Sequence, residues 1–408
     1  MSLKKILNNF NTKKNNYKKK YPLITDPFTD KDIISGLKIL LSRKITMGEI
    51  TKKFEKEFAK YLGVKYALMV NSGSSANLLA FFALINPRSK KKIKLNSECL
   101  IPAVCWSTSL WPIIQSGLKP RFVDVDTKTL NINIKDLKKK INKKTKVVMA
   151  VHILGNSTNM NELKKIIKKN KLTLVEDTCE SLGSKFGSKY LGTFGRFGTF
   201  SFYVSHQISA GEGGMIVCND SNDYKTLYSL RSHGWDRGLD NKKNNDFNFI
   251  NSGFNLRPMD LTAAIGLCQF RRLNSMSKIR SENRKKIIES LTKSKLWSDQ
   301  FVFLNPIKNL KPSWFGLPIL INKKYLKNKK RFLKYLNENG IETRPIISGN
   351  FLNQPAIKLY KINENKKNFK GSQEIESRGF FIGLHTEKIE AKSLKYLTDK
   401  LLKIGSKF

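Results

Sequence analysis

At 408 residues and 40% hydrophobic content, the chain can bury one large domain and a smaller one, which excludes a wholly disordered protein. No apolar run approaches the ~20 residues of a membrane-spanning helix, and the basic N-terminus is followed by no apolar segment of a secretory signal. The net charge of +44 invites nucleic-acid binding, but lysines are spread along the whole chain and the one dense run, Lys13–Lys20, has a single aromatic, Tyr17; the expectation is no nucleic-acid function and a surface that steers an anionic substrate.

In chain order, residues 1–25 read as a loose basic leader, 26–275 as a large domain and 276–408 as a small C-terminal one. Helices are predicted over Asp32–Lys44 and Thr51–Leu62, the second carrying a stripe of Phe54, Phe58 and Leu62. From Tyr66 to Asp177 apolar runs alternate with helical segments. The predicted strands are Tyr66–Val70, Cys99–Pro102, Arg121–Asp126, Val147–Leu154 and Leu172–Glu176; helices fall at Ala76–Ile85 and Ile134–Ile141. That alternation predicts an α/β fold with a mainly parallel sheet and ligands at the strands' carboxyl ends. Two further strands flank Ser201–Gly214, and a helix follows near Asp223–Ser232. Asn241–Asn251 is polar enough for a mobile loop. Helices at Pro258–Leu273 and Ile279–Leu291 lead to an α+β end, with strands near Phe315–Ile321 and Glu342–Ile347 and helices at Leu326–Asn339 and Ala391–Ile404. Five cysteines (Cys99, Cys105, Cys179, Cys218, Cys268) form no CxC or CxxC pair, which suits reduced cytoplasmic thiols and argues against a metal site.

Chemistry gathers at a few places. Asn71–Asn77 joins a strand to a helix, where small residues expose backbone N–H groups to an anion; a simple capped helix is the alternative. Asp177 closes a buried strand with a carboxylate, as an ion partner or a cap. Trp106 follows another strand end, either facing a ligand or filling the core. Ser201–Gly214 opens with two strand-like aromatics, Phe202 and Tyr203. It puts His206 in a polar turn and closes on Gly211-Glu212-Gly213-Gly214, whose glycines permit close backbone approach.

Together these stretches resemble the DegT/DnrJ/EryC1/StrS sugar aminotransferases, pyridoxal-phosphate (PLP) enzymes, from about residue 22 to the C-terminus. Their signature has a Ser-Phe pair, a lysine five residues after the Ser, and a closing Gly-Glu-Gly-Gly. The resemblance implies the PLP-dependent transferase fold of the aspartate aminotransferase type I kind, a large mainly parallel sheet domain plus a smaller α+β C-terminal domain. It implies Gly73, Ser74, Ser75 and Ser201 at the cofactor phosphate, Trp106 stacked on the ring and Asp177 on the pyridinium nitrogen. Glu180 stands where the family has Gln, beside the phenolic oxygen or the lost lysine's space. In Gly253–Pro258, Asn255 would reach the phosphate of a neighbouring subunit, hence a homodimer. Arg257 and Arg344 are candidate substrate contacts or, equally, structural ion pairs.

His206 occupies the lysine's position. Imidazole cannot make the covalent link, so PLP or pyridoxamine phosphate would be held non-covalently, while the ring can still act as base and acid. Two readings follow: an inactive relative serving as a binding protein, or a different reaction. The family's lysine-lacking sugar 3-dehydratases carry His here. That resemblance implies removal of the C3 hydroxyl from a nucleotide-linked 4-keto-6-deoxyhexose, GDP-4-keto-6-deoxymannose or a CDP-linked counterpart, with L-glutamate as amino donor. Cys218 and Cys268 stand too far apart in sequence for the clustered cysteines of the iron–sulfur type, so no iron–sulfur cluster is expected.

Overall fold

The computed structural model describes residues 19–25, 27–239 and 247–406. Most of the basic leader, and positions 241–246 of the segment expected as a mobile loop, lie outside them.

Short apolar runs make the first five strands: Tyr66–Val70 (β1), Glu98–Pro102 (β2), Lys119–Val123 (β3), Thr145–Val151 (β4) and Thr173–Asp177 (β5). A small hairpin, Lys185–Phe186 (β6) with Lys189–Tyr190 (β7), precedes Phe197–Ser201 (β8) and Gly214–Cys218 (β9). β6 and β7 apart, these strands form one seven-stranded sheet in the order β1-β9-β8-β5-β4-β2-β3. Pairing is parallel from β8 through β3, and only β9 runs against its neighbours. Such a sheet must be covered on both faces, and apolar clusters flank it: Leu68, Phe81 and Ile101 belong to one, Phe54, Phe58, Phe200 and Phe202 to another. Phe54 and Phe202 rings lie 5.2 Å apart; each such buried ring contributes about 1.5–3 kcal/mol.

A second unit is built on Phe301–Phe303 (β10), Gly316–Ile321 (β12), Thr343–Arg344 (β13) and Gly379–Gly383 (β14), antiparallel in the order β10-β12-β14-β13, while Leu310–Lys311 (β11) returns to pair with β6. The helices Leu273–Thr292, Lys329–Glu338 and Ala391–Leu402 contribute buried residues to its core. Among the described residues no helix is long and apolar enough to cross a membrane.

Several boundaries differ from expectation for physical reasons. The first described helix starts at Asp30, not Asp32, because Thr29 and Asp32 form a capping box. The second starts at Glu49 because the Asp260 carboxylate, distant in sequence, accepts from the N–H groups of Gly48, Ile50 and Thr51. The helix expected from Pro258 runs over Asp260–Phe270. β4 stops at Val151, since Leu154 adopts a left-handed conformation (φ 52°) in the turn that follows. β8 ends at Ser201, so Phe202 and Tyr203 stand outside the strand. Residues 19–25 are not loose. Tyr21 is buried, bonds backbone to backbone with Gly340 and Glu342, and donates its hydroxyl to Gly383 O at 3.1 Å.

Candidate active site

The C-terminal end of β5 carries Asp177, buried beneath the cleft. Its Oδ2 accepts from Asn77 Nδ2 (2.9 Å) and Ser109 Oγ (2.7 Å), and its Oδ1 from the Cys179 N–H (3.1 Å). Thr199 on β8 donates to Asn77 Oδ1 at 2.6 Å, which fixes the amide so that its nitrogen faces Asp177. Two helices and the turn after β5 thus converge on a single carboxylate, with β8 bracing it through Asn77.

Asn77 belongs to the helix Gly73–Ile85, whose N-terminus points up into the same region. The first N–H groups of a helix lack intrahelical acceptors; here the Ser72 side chain takes that of Ser75, and the remaining ones suit an anion. Gly73 is required. A Cβ there would lie 2.5 Å from Ser201 Cβ and 2.9 Å from Cys179 Sγ. Gly214 makes the matching approach, since its Cβ would sit 2.3 Å from Ser72 O. Ser74, exposed, bonds Thr108 Oγ1 at 2.9 Å, tying this turn to the start of the helix Ser107–Gln115. Trp106, just before that helix, is 57% exposed, so it is not the core tryptophan of the bland alternative. Ser348 Oγ donates to Cys105 O (2.7 Å) and Phe351 N to Ala103 O (2.8 Å), which brings the second unit to the same rim.

Opposite lies the loop of His206. The base is closed by Phe202 N to Gly213 O and Ala210 N to Phe202 O, and the turn by His206 N to Tyr203 O. The ring is set edge-on to Phe315, centroids 5.2 Å apart, and to Tyr203. Burial pushes the His206 pKa down to about 4; the Asp177 charge opposes that shift and Arg280 adds to it. Arg280 is itself buried, donating to the carbonyls of Leu384 (3.1 Å), Gln207 (3.3 Å) and His206 (3.4 Å). Glu180 accepts from Leu154 N at 2.9 Å, and burial, assisted by the Asp177 charge, pushes its carboxyl up to about 8.

Gly73, Ser74, Ser75, Asp177, Glu180, Ser201 and His206 thus lie in one neighbourhood, and Trp106 stands at the head of the helix whose Ser109 meets Asp177. Asn255, Arg257 and Arg344 are exposed and bond elsewhere: Arg257 Nε donates to Asn255 Oδ1 (3.2 Å), and Arg344 pairs with Glu342 at 2.6 Å. Sequence reasoning assigned no role to Asn77, Ser109, Gln207 or Arg280. Asn77 lay within a quoted motif, but nothing local ties it to a carboxylate a hundred positions away. Set against a phosphorylated pyridine, the residues present fit: a helix N-terminus where a Cβ is excluded, a buried carboxylate and an exposed indole.

Fold and cleft together define a sugar-aminotransferase-like protein of the PLP-dependent transferase fold. The chain belongs to the DegT/DnrJ/EryC1/StrS aminotransferase family, which matches residues 29–401. It is 38% identical over 376 residues to GDP-4-keto-6-deoxy-D-mannose 3-dehydratase of Escherichia coli O55:H7, covering 90% of this chain and 95% of that protein. The solved structure of the E. coli 3-dehydratase with bound hydrated PLP superposes with a TM-score of 0.87 at 36% identity, covering 93% of this chain and 99% of that one. A structure of GDP-4-keto-6-deoxymannose 3-dehydratase with a trapped PLP–glutamate geminal diamine gives 0.86 at 36% identity, covering 93% and 100%.

Proposed function

We propose that this chain is a PLP- and pyridoxamine-phosphate-dependent 3-dehydratase that removes the C3 hydroxyl of GDP-4-keto-6-deoxymannose, taking its amino group from L-glutamate. The observation that carries the reading is a histidine at the lysine's position within an otherwise complete cofactor seat. Gly73, Ser74, Ser75 and Ser201 would hold the phosphate, Trp106 would cover the ring, and Asp177 would face the pyridinium. Bound there, the cofactor supplies an electron sink for breaking a C–H bond and carries glutamate's amino group.

The chain's own residues do the rest. Asp177, held by three donors, supplies a fixed negative charge beneath the cleft. His206 is neutral at pH 7, so its open ring nitrogen, Nε2, can accept a proton. The protonated ring then passes that proton to the hydroxyl leaving C3, which departs as water. Lacking a lysine amine at this position, the site has no such group to return a proton to C4. Overall, glutamate becomes 2-oxoglutarate, ammonia is released and the sugar loses one oxygen. Glu180, protonated below about pH 8, offers an O–H donor to the cleft wall. Asn255, exposed, is offered to the phosphate of a second copy, which makes the enzyme a homodimer. The five cysteines are all unpaired, and we place the reaction in the cytoplasm.

The test is an absorption spectrum of the protein with PLP before and after L-glutamate, followed by ammonia release with GDP- and CDP-linked 4-keto-6-deoxyhexoses. Conversion to the pyridoxamine band with 2-oxoglutarate formed, and ammonia only with the GDP sugar, is expected. No response to glutamate would make the chain an inactive binding relative; turnover of the CDP sugar alone would reassign the substrate.

A further inference from the structure

Beside His206 is a cavity of about 50 Å³ between the His206 loop, the N-terminal segment and the start of the helix Leu273–Thr292. Its walls include His206, Gln207, Arg272, Met276, Arg280 and His385. Three of those residues carry a buried polar atom with no hydrogen-bond partner: His206 Nδ1, Gln207 Oε1 and Arg272 Nε. For Gln207 and Arg272, the partnered atoms show which end is free. The Gln207 amide nitrogen donates to the carbonyls of Glu180 and Ser313, so its oxygen is the free end. Arg272 spends Nη2 on both oxygens of Asp32 (2.7 and 2.6 Å), leaving Nε. Gln269 and His385 on its walls are partnered: Gln269 accepts from Ser209 N and donates to Pro27 O, and His385 Nε2 bonds Pro22 O.

An unmet buried donor or acceptor costs about 1–3 kcal/mol, and a polar cavity above roughly 15 Å³ holds water. We infer that this cavity is a water site, in which Gln207 and Arg272 hold ordered water against His206 Nδ1. The chemistry closes as one network. Nδ1–H and Arg272 Nε–H donate to the water oxygen, and a water hydrogen is donated to the Gln207 oxygen. An Nδ1–H ring has its lone pair on Nε2, the nitrogen a general base toward the cleft must use. Gln207 and Arg272 are thus positioning residues that select the reactive tautomer, and the inference rests on the dehydratase reading for what that tautomer does.

The experiment is ¹⁵N-histidine NMR of the full chain without substrate. The protein has four histidines, and the His206 signals are assigned by their loss in His206→Asn. Wild-type protein is expected to show the Nδ1–H form. Gln207→Leu removes the acceptor, and Met276→Phe fills the cavity while leaving Gln207 in place; both should move the ring toward Nε2–H. In the loaded enzyme both should lower kcat about fivefold, one hydrogen bond's worth, with KM for the nucleotide sugar unchanged. An Nε2–H wild type, or wild-type tautomer in the folded Met276→Phe variant, overturns the inference. Absence of dehydration in the wild type would instead defeat the dehydratase reading and leave the tautomer result standing.

Discussion

Asp177 and His206 face the same cleft on opposite terms. Asp177 ends a buried central strand and is gripped by Asn77, Ser109 and the Cys179 N–H, with Thr199 bracing Asn77 from behind. His206 sits on a loop, touches Phe315 and Tyr203 edge-on, and buries its Nδ1 without a side-chain partner. The floor is preorganised around a charge that must stay put. On the proposed reading, the wall carries a neutral base whose proton comes and goes, which fits a ring that burial keeps unprotonated. Fixed charge on rigid strands and a movable proton on a loop is the division of labour the cleft displays.

Removing His206 should break the wall and spare the floor. His206→Asn is expected to cut dehydration by about 10²–10⁴-fold, the usual weight of a general base, while the PLP absorption spectrum on binding persists. In the wild type, the acid limb of kcat/KM should fall near pH 4 rather than 6.5, because burial keeps the imidazole neutral down to that pH. Initial rates of ammonia release across pH 3.5–8 measure both.

The floor should answer in stability instead. Ser109→Ala removes one of two donors to Asp177 Oδ2 and should cost about 1.5–3 kcal/mol, the range for a bond to a charged group, read from denaturant midpoints at unchanged m-value.

Glu180 lies between the two and reports on both. Its carboxyl titrates near 8 in the fold against an ordinary 4.5, so the folded chain keeps a proton that the unfolded chain releases. The neutral group's contribution is full below about pH 4.5, declines as pH rises, and is gone above about 8. Glu180→Gln stays neutral throughout. Its stability relative to wild type should therefore grow between pH 5 and 8, on the order of 2 kcal/mol for a group so placed; thermal melts at three pH values test this. A constant difference would mean that Glu180 is ionised in the fold.

The floor was also the more legible half. β1 is a continuous apolar run with the expected ends, Tyr66–Val70, while β5, expected over Leu172–Glu176, runs one residue further on, over Thr173–Asp177, with Asp177 at its end. The helix Ser107–Gln115 was not legible: it is nine residues long with Pro112 inside and too short to show a clear period. β14, central to the second sheet, follows directly on the helix Lys370–Arg378 with no turn residue but Gly379 itself to mark the change. His206 stood out because one motif position departed from the family. Gln207 beside it did not, and Arg280 was one cation among 76. Their roles come from carbonyls at Ser313, Glu180 and Leu384, brought together only by the packing of the second unit on the first.

Arg344 gives the smallest effect and the sharpest division between the two units. It is exposed on an edge strand and paired with Glu342, which already holds Lys19 and the Leu23 N–H. An exposed ion pair contributes about 0.2–1 kcal/mol, and Glu342 keeps its other partners when Arg344 is cut. Arg344→Ala should then leave stability within that range. If the guanidinium also meets the nucleotide sugar, KM rises while kcat holds, because a contact made equally before and during reaction changes binding alone. Unchanged KM with the small stability loss assigns Arg344 to the ion pair and removes it from the substrate contacts, leaving Arg257 as the other candidate.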